Sequence, residues 1–382
     1  MKNDELTEQE LRRYSRQVIL PEIGKEGQLK IKNARVLIIG AGGLGSPAAI
    51  YLAAAGVGTI GIMDFDKIDE TNLQRQILYS DNDIGKLKTA TIKNQISKLN
   101  PNINVITHNE KLTSENALNI LKNYDIIIDG SDNLSTKFLV NDACIALKKP
   151  FVYGSIFKFD GHVSVFNYQN GPCYRCLFSS LPSDVSIPNC AETGVLGVLP
   201  GVIGTMQATE ALKIVLGKGN TLSGRYLIYN ALKMNFNELK LRKNPNCEAC
   251  GKNPIQKLAR YDEICNQTIN QKNNNEINVK ELKEMIDSKE KFELIDVREN
   301  DEWELCRIET AKLIPLSIII KNKFNDFNEL NKNEKIIVYC HTGNRSGYVV
   351  DVLKEKGFSD AKNLIGGIDA WAKDIDSKLM TY

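Results

Sequence analysis

The sequence predicts an α/β protein of two domains, the first organised around a doubly wound parallel sheet. The chain has 382 residues, which is more than one hydrophobic core usually serves at about 150 residues per domain. Short apolar runs of the strand type alternate with helical segments, as in folds that cover both faces of a parallel sheet. The same alternation starts again after the polar stretch 266–278, so a second and smaller α/β domain is expected.

Composition and charge limit the classes of protein to consider. Hydrophobic residues make up 42% and charged residues 25% of the chain, which is ordinary for a globular protein. The net charge of +2 provides no basic excess for nucleic acid or a membrane surface, and the apolar runs are too short for a membrane helix. The charged N-terminus lacks the apolar core of a secretory signal. We therefore expect a cytoplasmic protein without membrane or direct nucleic-acid partners, whose nine cysteines serve metal or sulfur chemistry before disulfides.

The elements of the first domain follow from local patterns. Residues 1–34 form a charged helical lead-in with apolar side chains near helical spacing. The run 36–40 is apolar and ends at glycine, which is typical of a buried parallel strand. The other predicted elements are helices at 46–55, 90–99 and about 200–216, strands at 59–64, 104–107 and 125–129, and an antiparallel hairpin of 151–157 with 162–166.

The domain boundaries are predicted from the polar stretch, which has almost no apolar content. Residues 1–265 form the first domain, 266–278 the linker and 279–382 the second domain. The clearest elements of the second domain are strands at 292–297 and 335–339 and a helix at about 346–356.

A glycine-rich loop follows the first strand. Gly40, Gly42, Gly43 and Gly45 form the pattern G-x-G-x-x-G between a strand and a helix. Such glycines let the backbone approach a phosphate, and the helix N-terminus favours its charge. Asp64 ends the second strand, where a carboxylate can bind ribose hydroxyls. These residues indicate a dinucleotide or mononucleotide site; the alternative is a tight glycine turn that binds no ligand.

Polar residues farther along the chain favour a nucleoside triphosphate over nicotinamide. They follow the second strand, or the strand at 125–129, and so fall on the edge that carries ligands in such sheets. An arginine, a lysine and a Mg²⁺-binding aspartate can neutralise the charge that develops as pyrophosphate leaves. Taken singly, each is also compatible with a solvated surface position. The residues concerned are Asp66, Asn72, Arg75, Gln76, Lys88, Asp132 and Asn133.

Two Cys-x-x-Cys pairs predict a metal site. Cys173 with Cys176, and Cys247 with Cys250, are flanked by turn residues. Four thiolates in two such pairs are the ligand set of a closed tetrahedral Zn²⁺ site with a structural role. A redox-active pair is the competing interpretation, and the presence of two copies argues against it.

Another cysteine motif lies in the C-terminal domain. Residues 338–347 run from a strand through a tight loop, which holds Cys340, Gly343 and Arg345, to the start of a helix. Backbone N–H groups and the helix dipole favour a sulfur anion in such a loop, which suits a persulfide. Arg345 adds a positive charge to the same loop. The alternative is a buried cysteine that ends a strand.

The motifs of the first domain together resemble the MoeB/ThiF adenylyltransferases, the bacterial relatives of ubiquitin-activating enzymes. The resemblance covers about residues 8–250 and implies ATP-dependent adenylylation of the C-terminal glycine of a ubiquitin-like sulfur carrier. It rests on Arg13-Tyr-Ser-Arg16-Gln, the glycine loop, Asp64-Phe-Asp66, Asn72-Leu-Gln-Arg-Gln76, Ser131-Asp-Asn133 and Pro172-Cys-Tyr-Arg-Cys176.

The resemblance also implies roles for single residues. Arg16 would be lent to the neighbouring subunit's site in a homodimer, and the four paired cysteines match the family's zinc ligands. Cys190 lies in a polar loop. Its counterpart attacks the carrier adenylate in eukaryotic, rhodanese-bearing members and can be dispensable in MoeB-type relatives, so a surface thiol is the alternative. The implied ATP and Mg²⁺ residues are Asp64, Asn72, Arg75, Lys88 and Asp132.

The C-terminal domain resembles rhodanese domains across about residues 277–375. This resemblance implies that Cys340 carries a transferable sulfur. The family's usual Gly-His-Ile and Gly-Ala are replaced by Cys306-Arg-Ile308 and Thr310-Ala311, which lie away from the Cys340 loop. Besides that loop, the resemblance rests on Leu294-Ile-Asp-Val-Arg298, Asp301-Glu-Trp303, Ile314-Pro315, and Asn363-Leu-Ile-Gly-Gly367 with Ala370-Trp371.

The sequence thus predicts an adenylyltransferase joined to a sulfurtransferase that uses ATP, Mg²⁺ and Zn²⁺. The expected partners are a carrier ending in Gly-Gly and a sulfur donor such as thiosulfate or a cysteine desulfurase. Molybdopterin biosynthesis is the favoured pathway, and thiamine biosynthesis or tRNA thiolation stay open. The rivals are an NAD(P)-dependent oxidoreductase, which only the glycine loop supports, and a non-catalytic interaction protein.

Overall fold

A computed structural model of the chain describes residues 5–179, 194–259, 275–327 and 330–381. These residues form two compact units, one ending at residue 259 and the other beginning at residue 275. The predicted fold class, a Rossmann-like domain plus a smaller α/β domain, is confirmed. None of the helices in these ranges combines the length and the apolar character of a membrane span.

The first unit is built on one eight-stranded sheet. Its strands are β1 (Arg35–Ile39), β2 (Thr59–Met63), β3 (Asn104–His108), β4 (Ile126–Asp129), β5 (Phe151–Phe157), β6 (Asp160–Phe166), β7 (Arg225–Asn230) and β8 (Asn235–Lys240). They lie in the order β3-β2-β1-β4-β5-β6-β7-β8. The pairings from β3 to β5 are parallel, and those from β5 to β8 are antiparallel.

Helices cover both faces of this sheet, as a parallel sheet requires. They are α1 (Glu8–Arg13), α2 (Ser15–Val18), α3 (Gly24–Asn33), α4 (Gly45–Ala55), α5 (Lys88–Leu99), α6 (Ala117–Leu121), α7 (Leu134–Leu147), α8 (Tyr174–Leu177) and α9 (Leu199–Leu216). On one face the core includes α3, α4, α5 and α9, and on the other it includes α6 and α7. The small side chains of Ala48, Ala49 and Ala53 are fully buried, which lets α4 and α9 approach closely.

The predicted hairpin is present, with Phe157 opposite Asp160 at its turn. The sequence did not indicate β7 and β8, which extend the sheet beyond it. Every residue of β8 is exposed, so this strand lacks the alternation of buried and exposed side chains that identifies a strand in a sequence.

The second unit holds a five-stranded sheet with only parallel pairings. Its strands are β9 (Glu276–Ile277), β10 (Glu293–Asp296), β11 (Lys312–Leu313), β12 (Ile336–Tyr339) and β13 (Ala361–Leu364), in the order β11-β10-β12-β13-β9. Its helices are α10 (Val279–Asp287), α11 (Asn300–Leu305), α12 (Leu316–Lys321), α13 (Asn344–Glu355) and α14 (Gly367–Asp374).

Strand β9 lies within the stretch 266–278 that composition predicts as a linker. Its residues pair with Asn363 and Leu364 of β13, and Ile277 is buried in the second core. These two residues therefore belong to the second sheet. A two-residue strand with a single apolar side chain is too short for a periodic pattern to reveal.

Candidate active site and metal centre

The parallel strands bring three polar segments to one edge of the first sheet. Gly40, Asp64 and Gly130 directly follow β1, β2 and β4, which are neighbours in the order β2-β1-β4. After β1 the chain goes on to β2 on one side of this pair, and after β4 it goes on to β5 on the other side. A crevice opens at the carboxyl ends of strands at such a point, and open α/β sheets bind ligands there.

The glycine loop contains two glycines that no residue with a side chain can replace without a clash. Gly40 has φ of +90°, and a Cβ there would lie 2.7 Å from the carbonyl carbon of Gly130. A Cβ at Gly45 would lie 1.9 Å from the carbonyl oxygen of Gly40. The missing side chains therefore allow the two loops that follow β1 and β4 to touch, and this contact closes the floor of the crevice.

The carboxylate of Asp64 holds the glycine loop. Its Oδ2 accepts a hydrogen bond from the Ala41 N–H (2.7 Å), and its Oδ1 accepts one from the Asp66 N–H (2.8 Å). Burial raises the pKa of Asp64, while the charge of Lys88 and both hydrogen bonds oppose that shift. Tyr79, which sequence reasoning missed, donates its hydroxyl to the Ala41 carbonyl (2.6 Å). The loop is thus fixed from two sides.

Cationic side chains lie beside this loop. Lys88 is the first residue of α5, is buried, and donates to Asp66 Oδ2 at 3.0 Å. Arg75 donates to the Thr71 carbonyl (2.9 Å), and a Cβ at Gly43 would lie 3.5 Å from Arg75 Cγ. The predicted lysine therefore lies against the segment after β2, and the predicted arginine lies against the glycine loop.

Two polar side chains complete this side of the crevice. Asn72 Oδ1 accepts a hydrogen bond from the Asp69 N–H at 3.3 Å and shapes the turn before Arg75. Gln76 is buried next to Gly42, and its Oε1 is an acceptor without a partner in the described part of the chain. A buried polar atom without a hydrogen-bond partner, beside a glycine loop, indicates a place where a polar ligand can bind.

Asp132 and Asn133 lie on the turn between β4 and α7, and both are exposed. Asn133 caps α7 by accepting the Thr136 N–H at 2.9 Å. Behind the turn, the buried Asp129 carboxylate pairs with Lys137 at 2.5 Å. Neither member of this pair was singled out from the sequence, although a lysine within the apolar helical run 134–147 was the available signal.

An exposed carboxylate opposite a phosphate-type loop fits Mg²⁺, which is usually held by one or two carboxylates and substrate phosphates. Asp132, the residue predicted for this role, is exposed on the turn that follows β4. Arg16, by contrast, is an exposed residue of α2. It lies near the exposed apolar residues Ile19 and Leu20.

The four paired cysteines come together as predicted. Their sulfurs all lie within 4.8 Å of one another; Cys173 Sγ is 3.8 Å from Cys176 Sγ and 3.6 Å from Cys247 Sγ. Sulfurs bound tetrahedrally to zinc at about 2.3 Å lie about 3.8 Å apart. The spacing therefore fits a zinc ion, and this four-cysteine cluster joins the segment after β6 to the segment after β8.

The thiols of this cluster affect one another's protonation. The hydrogen bond from Cys173 lowers the pKa of Cys176, whose sulfur also accepts from the Asn244 N–H (3.3 Å). The pKa of Cys173 is raised, chiefly because its hydrogen is held by Cys176, and burial raises that of Cys250. Metal binding requires deprotonated cysteine ligands, so zinc binding to this cluster would release protons.

In the second unit, Cys340 directly follows β12 and is fully buried. Its Sγ accepts hydrogen bonds from the Gly343 N–H (3.1 Å) and the Ser346 hydroxyl (3.4 Å). Gly343 has φ of +102° and precedes α13. The predicted order of strand, tight loop and helix N-terminus is thus present, with donors directed at the sulfur.

Arg345 lies in the first turn of α13, and both terminal nitrogens donate to the carboxylate of Glu302 at 2.7 and 2.6 Å. The positive charge that the sequence placed in the loop is therefore shared with a carboxylate from α11. This pair ties the loop to α11, and sequence reasoning missed Glu302. Cys190, the other predicted nucleophile, lies outside the described residues.

These sites define a class of protein: a nucleotide-binding α/β domain with a four-cysteine cluster, joined to a smaller domain with a loop-borne cysteine. The ThiF family matches residues 14–249, and the rhodanese-like domain matches residues 278–374. The chain belongs to the ThiF family and carries a rhodanese-like domain at its C-terminal side.

Relatives of the same two-part organisation span the chain. "Adenylyltransferase and sulfurtransferase MOCS3" of Culex quinquefasciatus is 41% identical over 396 residues, which is 99% of this chain and 90% of that protein. "Probable adenylyltransferase/sulfurtransferase MoeZ" of Mycobacterium tuberculosis is 42% identical over 386 residues, covering 99% of this chain and 96% of that protein. The predicted enzyme class, adenylyltransferase and sulfurtransferase, is confirmed.

Solved structures share the fold. The crystal structure of E. coli MccB with ATP has a TM-score of 0.56 and 25% identity, covering 62% of this chain and 74% of that chain. The structure of E. coli MccB with AMPCPP and MccA has a TM-score of 0.57 and 26% identity, covering 63% and 74%. Nucleotide binding by this fold agrees with the crevice described above.

Proposed function

We propose that the chain adenylylates the C-terminal glycine of a ubiquitin-like sulfur carrier with ATP and then supplies sulfur from Cys340, forming a thiocarboxylate. One observation carries this proposal. The glycine loop, Asp64 and Asp132 follow the neighbouring strands β1, β2 and β4, and Arg75 and Lys88 lie against the loop and Asp66, in a chain whose other unit directs hydrogen-bond donors at a cysteine sulfur.

The first step transfers an adenylyl group from ATP to a carboxylate. The carrier's terminal carboxylate attacks the α-phosphorus of ATP, and pyrophosphate leaves to give an acyl-adenylate. Arg75 and Lys88 neutralise charge that develops on the phosphates, and the glycine loop lets backbone amides approach them. Asp132 would hold Mg²⁺, which supplies further neutralisation of the phosphate oxygens when bound. The adenylate makes the poorly reactive carboxylate into an electrophile.

The second step moves sulfur. The terminal sulfur of a Cys340 persulfide attacks the acyl carbon, AMP leaves, and an acyl disulfide joins carrier and enzyme. A second thiol then attacks the Cys340 sulfur, so the thiocarboxylate is released and a disulfide remains on the thiols. Cys190 is proposed as an accessory nucleophile in this part of the reaction. The Gly343 N–H and the Ser346 hydroxyl stabilise the sulfur anion of Cys340.

The carrier and its donor follow from this chemistry. The carrier must end in Gly-Gly, and the donor is thiosulfate or a cysteine desulfurase. Molybdopterin biosynthesis is the proposed pathway, with thiamine biosynthesis and tRNA thiolation as alternatives. Intact-mass analysis of candidate carriers, after incubation with the protein, ATP and each donor, tests this. Exchange of one carrier oxygen for sulfur identifies the partner and the reaction, whereas an unchanged mass for every Gly-Gly carrier would count against the proposal.

We also propose a homodimer and a cytoplasmic location. Large apolar side chains are exposed on the first unit, including Ile19, Tyr51, Ile77 and Val198, each more than half exposed. Exposed apolar residues of this size mark interaction surfaces when they are contiguous. Arg16 is exposed and precedes the exposed Ile19 by three residues, which supports its proposed role at a dimer interface. A reducing cytoplasm suits the free thiols of the described cysteines.

Mixed dimers test the role of Arg16. Arg16→Ala and Asp132→Ala homodimers should each be inactive in ATP–pyrophosphate exchange. A mixed dimer has one site in which the intact Arg16 of one subunit meets the intact Asp132 of the other, so we expect up to about half of the wild-type rate per dimer. Differently tagged subunits allow the mixed species to be purified and assayed.

The control is a mixed dimer of wild-type and Arg16→Ala subunits, which should keep one complete site. Verified mixed dimers of the two mutants that stay inactive, while this control is active, would show that each chain completes its own site.

Zinc content is the next prediction. We expect one zinc ion per chain, and its removal should unfold the first domain. Structural zinc binding contributes about 10 kcal/mol or more in small domains, which is comparable with the entire net stability of a typical domain, about 5–15 kcal/mol. Elemental analysis gives the stoichiometry, and calorimetry with and without chelator gives the stability.

Cys247→Ser should reduce zinc content and lower the unfolding temperature. Cys144→Ala is the matched control, because Cys144 is also fully buried but lies outside the four-cysteine cluster. Full zinc content in Cys247→Ser, or none in undamaged wild-type protein, would exclude the assignment.

A further inference from the structure

A buried lysine lies directly behind the turn that carries Asp132. Lys137 Nζ donates to Asp129 Oδ2 (2.5 Å), to the Ser131 carbonyl (2.8 Å) and to the Gly154 carbonyl (3.1 Å). An ammonium group has three hydrogens, and each of these has an acceptor here. Lys137 therefore joins three pieces of backbone: the end of β4, the turn after it, and β5.

The environment keeps this lysine charged. The side chains of Lys137 and Asp129 are 5% and 0% exposed, and the ring of Tyr153 faces Lys137 Nζ at 5.0 Å. Burial is the largest single influence and lowers the pKa of Lys137, but the charge and hydrogen bond of Asp129, with Tyr153 and Asp132, together raise it. The bond from Lys137 to the Ser131 carbonyl reaches the residue directly before Asp132.

The start of the turn is held from two further directions. Asp129 Oδ1 accepts hydrogen bonds from the Ser131 N–H (3.0 Å) and hydroxyl (2.5 Å). From α9, Gln207 Nε2 donates to the Asp129 carbonyl at 2.7 Å. A Cβ at Gly154 would lie 2.4 Å from Gln207 Cδ, so this packing needs glycine at that position. The backbone before Asp132 is thus fixed, and Lys137 supplies the central contacts.

Stability alone is a weak reason for a buried ion pair at this place. The cost of removing two charges from water often exceeds their attraction, and apolar replacements of a whole pair are often neutral. The pair of Lys137 and Asp129 has a specific geometric effect instead, because Lys137 also bonds to the Ser131 carbonyl, directly before Asp132. It limits the positions available to a carboxylate that is itself exposed.

We propose that Lys137 is a positioning residue for the nucleotide–metal site, because its bonds to Asp129, Ser131 and Gly154 set the turn that presents Asp132. The inference rests on the proposed function, in which Asp132 binds the metal. Residues that orient metal ligands from behind typically contribute about 10- to 100-fold to metal affinity when they are mutated, and an effect of this size is expected here.

Divalent-metal binding tests this without turnover. The probe is Mn²⁺, titrated by electron paramagnetic resonance into the full-length protein with a non-hydrolysable ATP analogue. Lys137→Met leaves Asp129 unpaired and is expected to be poorly stable, so the double variant Asp129→Asn/Lys137→Met is the decisive one. It should raise the Kd for Mn²⁺ about 10- to 100-fold, and amide hydrogen exchange in residues 130–133 should become faster. Lys137→Arg keeps the charge and should bind Mn²⁺ nearly as well as wild type.

Lys213→Met is the matched control. Lys213 pairs with the largely buried Glu210. Its neighbour Ile214 lies at the amino-terminal edge of the parallel strands, which is the edge opposite to the one that carries Asp132. Its Mn²⁺ affinity should be unchanged. The proposal would be overturned by a folded double variant with wild-type Mn²⁺ affinity, or by an equal loss of affinity in Lys213→Met. It would also be overturned if both Lys137→Met and the double variant failed to fold, because Lys137 would then serve stability alone. Absence of pyrophosphate exchange in the wild type would instead count against the proposed function.

Discussion

Asp132→Ala should abolish ATP–pyrophosphate exchange, with kcat falling by at least about 100- to 1,000-fold, the loss seen when one charge-stabilising group is removed from an active site. The mutant lacks the carboxylate that stands exposed at the mouth of the crevice. Without it Mg²⁺ would not be held, only Arg75 and Lys88 would remain to neutralise the phosphates, and the pyrophosphate leaving group would be less stabilised. Exchange of labelled pyrophosphate into ATP, with a Gly-Gly carrier present, measures this step apart from sulfur transfer.

Asp125→Ala provides the matched control for this prediction. Asp125 precedes the same strand, β4, and accepts a hydrogen bond from the Arg35 N–H at 2.9 Å at the opposite edge of the sheet. That variant loses an aspartate of similar exposure but should keep its exchange activity. Undiminished exchange in Asp132→Ala would show that the metal is held elsewhere. Adenylylation would then need a different group to neutralise the phosphates.

The fold of the first domain follows largely from its sequence. Buried parallel strands are continuous apolar runs, and β2 and β4 are buried at every position, so their hydrophobic pattern is unambiguous. Strand β8 was not predicted, because edge strands exposed on both faces carry no such pattern. Composition predicts a linker at β9 for a related reason: its pairing is with β13, more than 80 residues away in the chain. Local composition does not report such pairings.

The residues of the candidate site also differ in how far the sequence predicts them. Residues expected to contact a ligand directly belong to short motifs, and the sequence patterns predict Gly40, Asp64 and Arg75 for such roles. Residues that support them were missed. Lys137 reaches Asp129 from the next helix, and Glu302 reaches Arg345 from 43 positions earlier in the chain. Their roles depend on tertiary contacts, and a lone lysine or glutamate in a helix is most often a surface residue.

Cys340→Ala should remove essentially all transferable sulfur from the protein while leaving ATP–pyrophosphate exchange unchanged. The Cys340 sulfur accepts hydrogen bonds from the Gly343 N–H and the Ser346 hydroxyl, and hydrogen bonds to an anion are roughly twice as strong as those to a neutral group. The loop can therefore stabilise negative charge on the Cys340 sulfur when it attacks the sulfur donor. Adenylylation precedes sulfur transfer and uses the other unit, so it does not need this thiol. Loading by thiosulfate or a cysteine desulfurase, followed by release with cyanide, measures the sulfur.

Two further variants separate Cys340 from the other cysteines. Cys190→Ala in the full chain should load sulfur as well as wild type, because Cys190 is the proposed accessory nucleophile and not the carrier of the persulfide. Cys306→Ala is the structural control, since Cys306 is buried in the same unit and accepts a contact from Arg298 at 3.9 Å. Peptide mapping after loading should place the persulfide on Cys340. A persulfide on Cys190 would reverse this division of labour and leave the rhodanese-like unit as a docking module, because its buried cysteine would then take no part in the transfer.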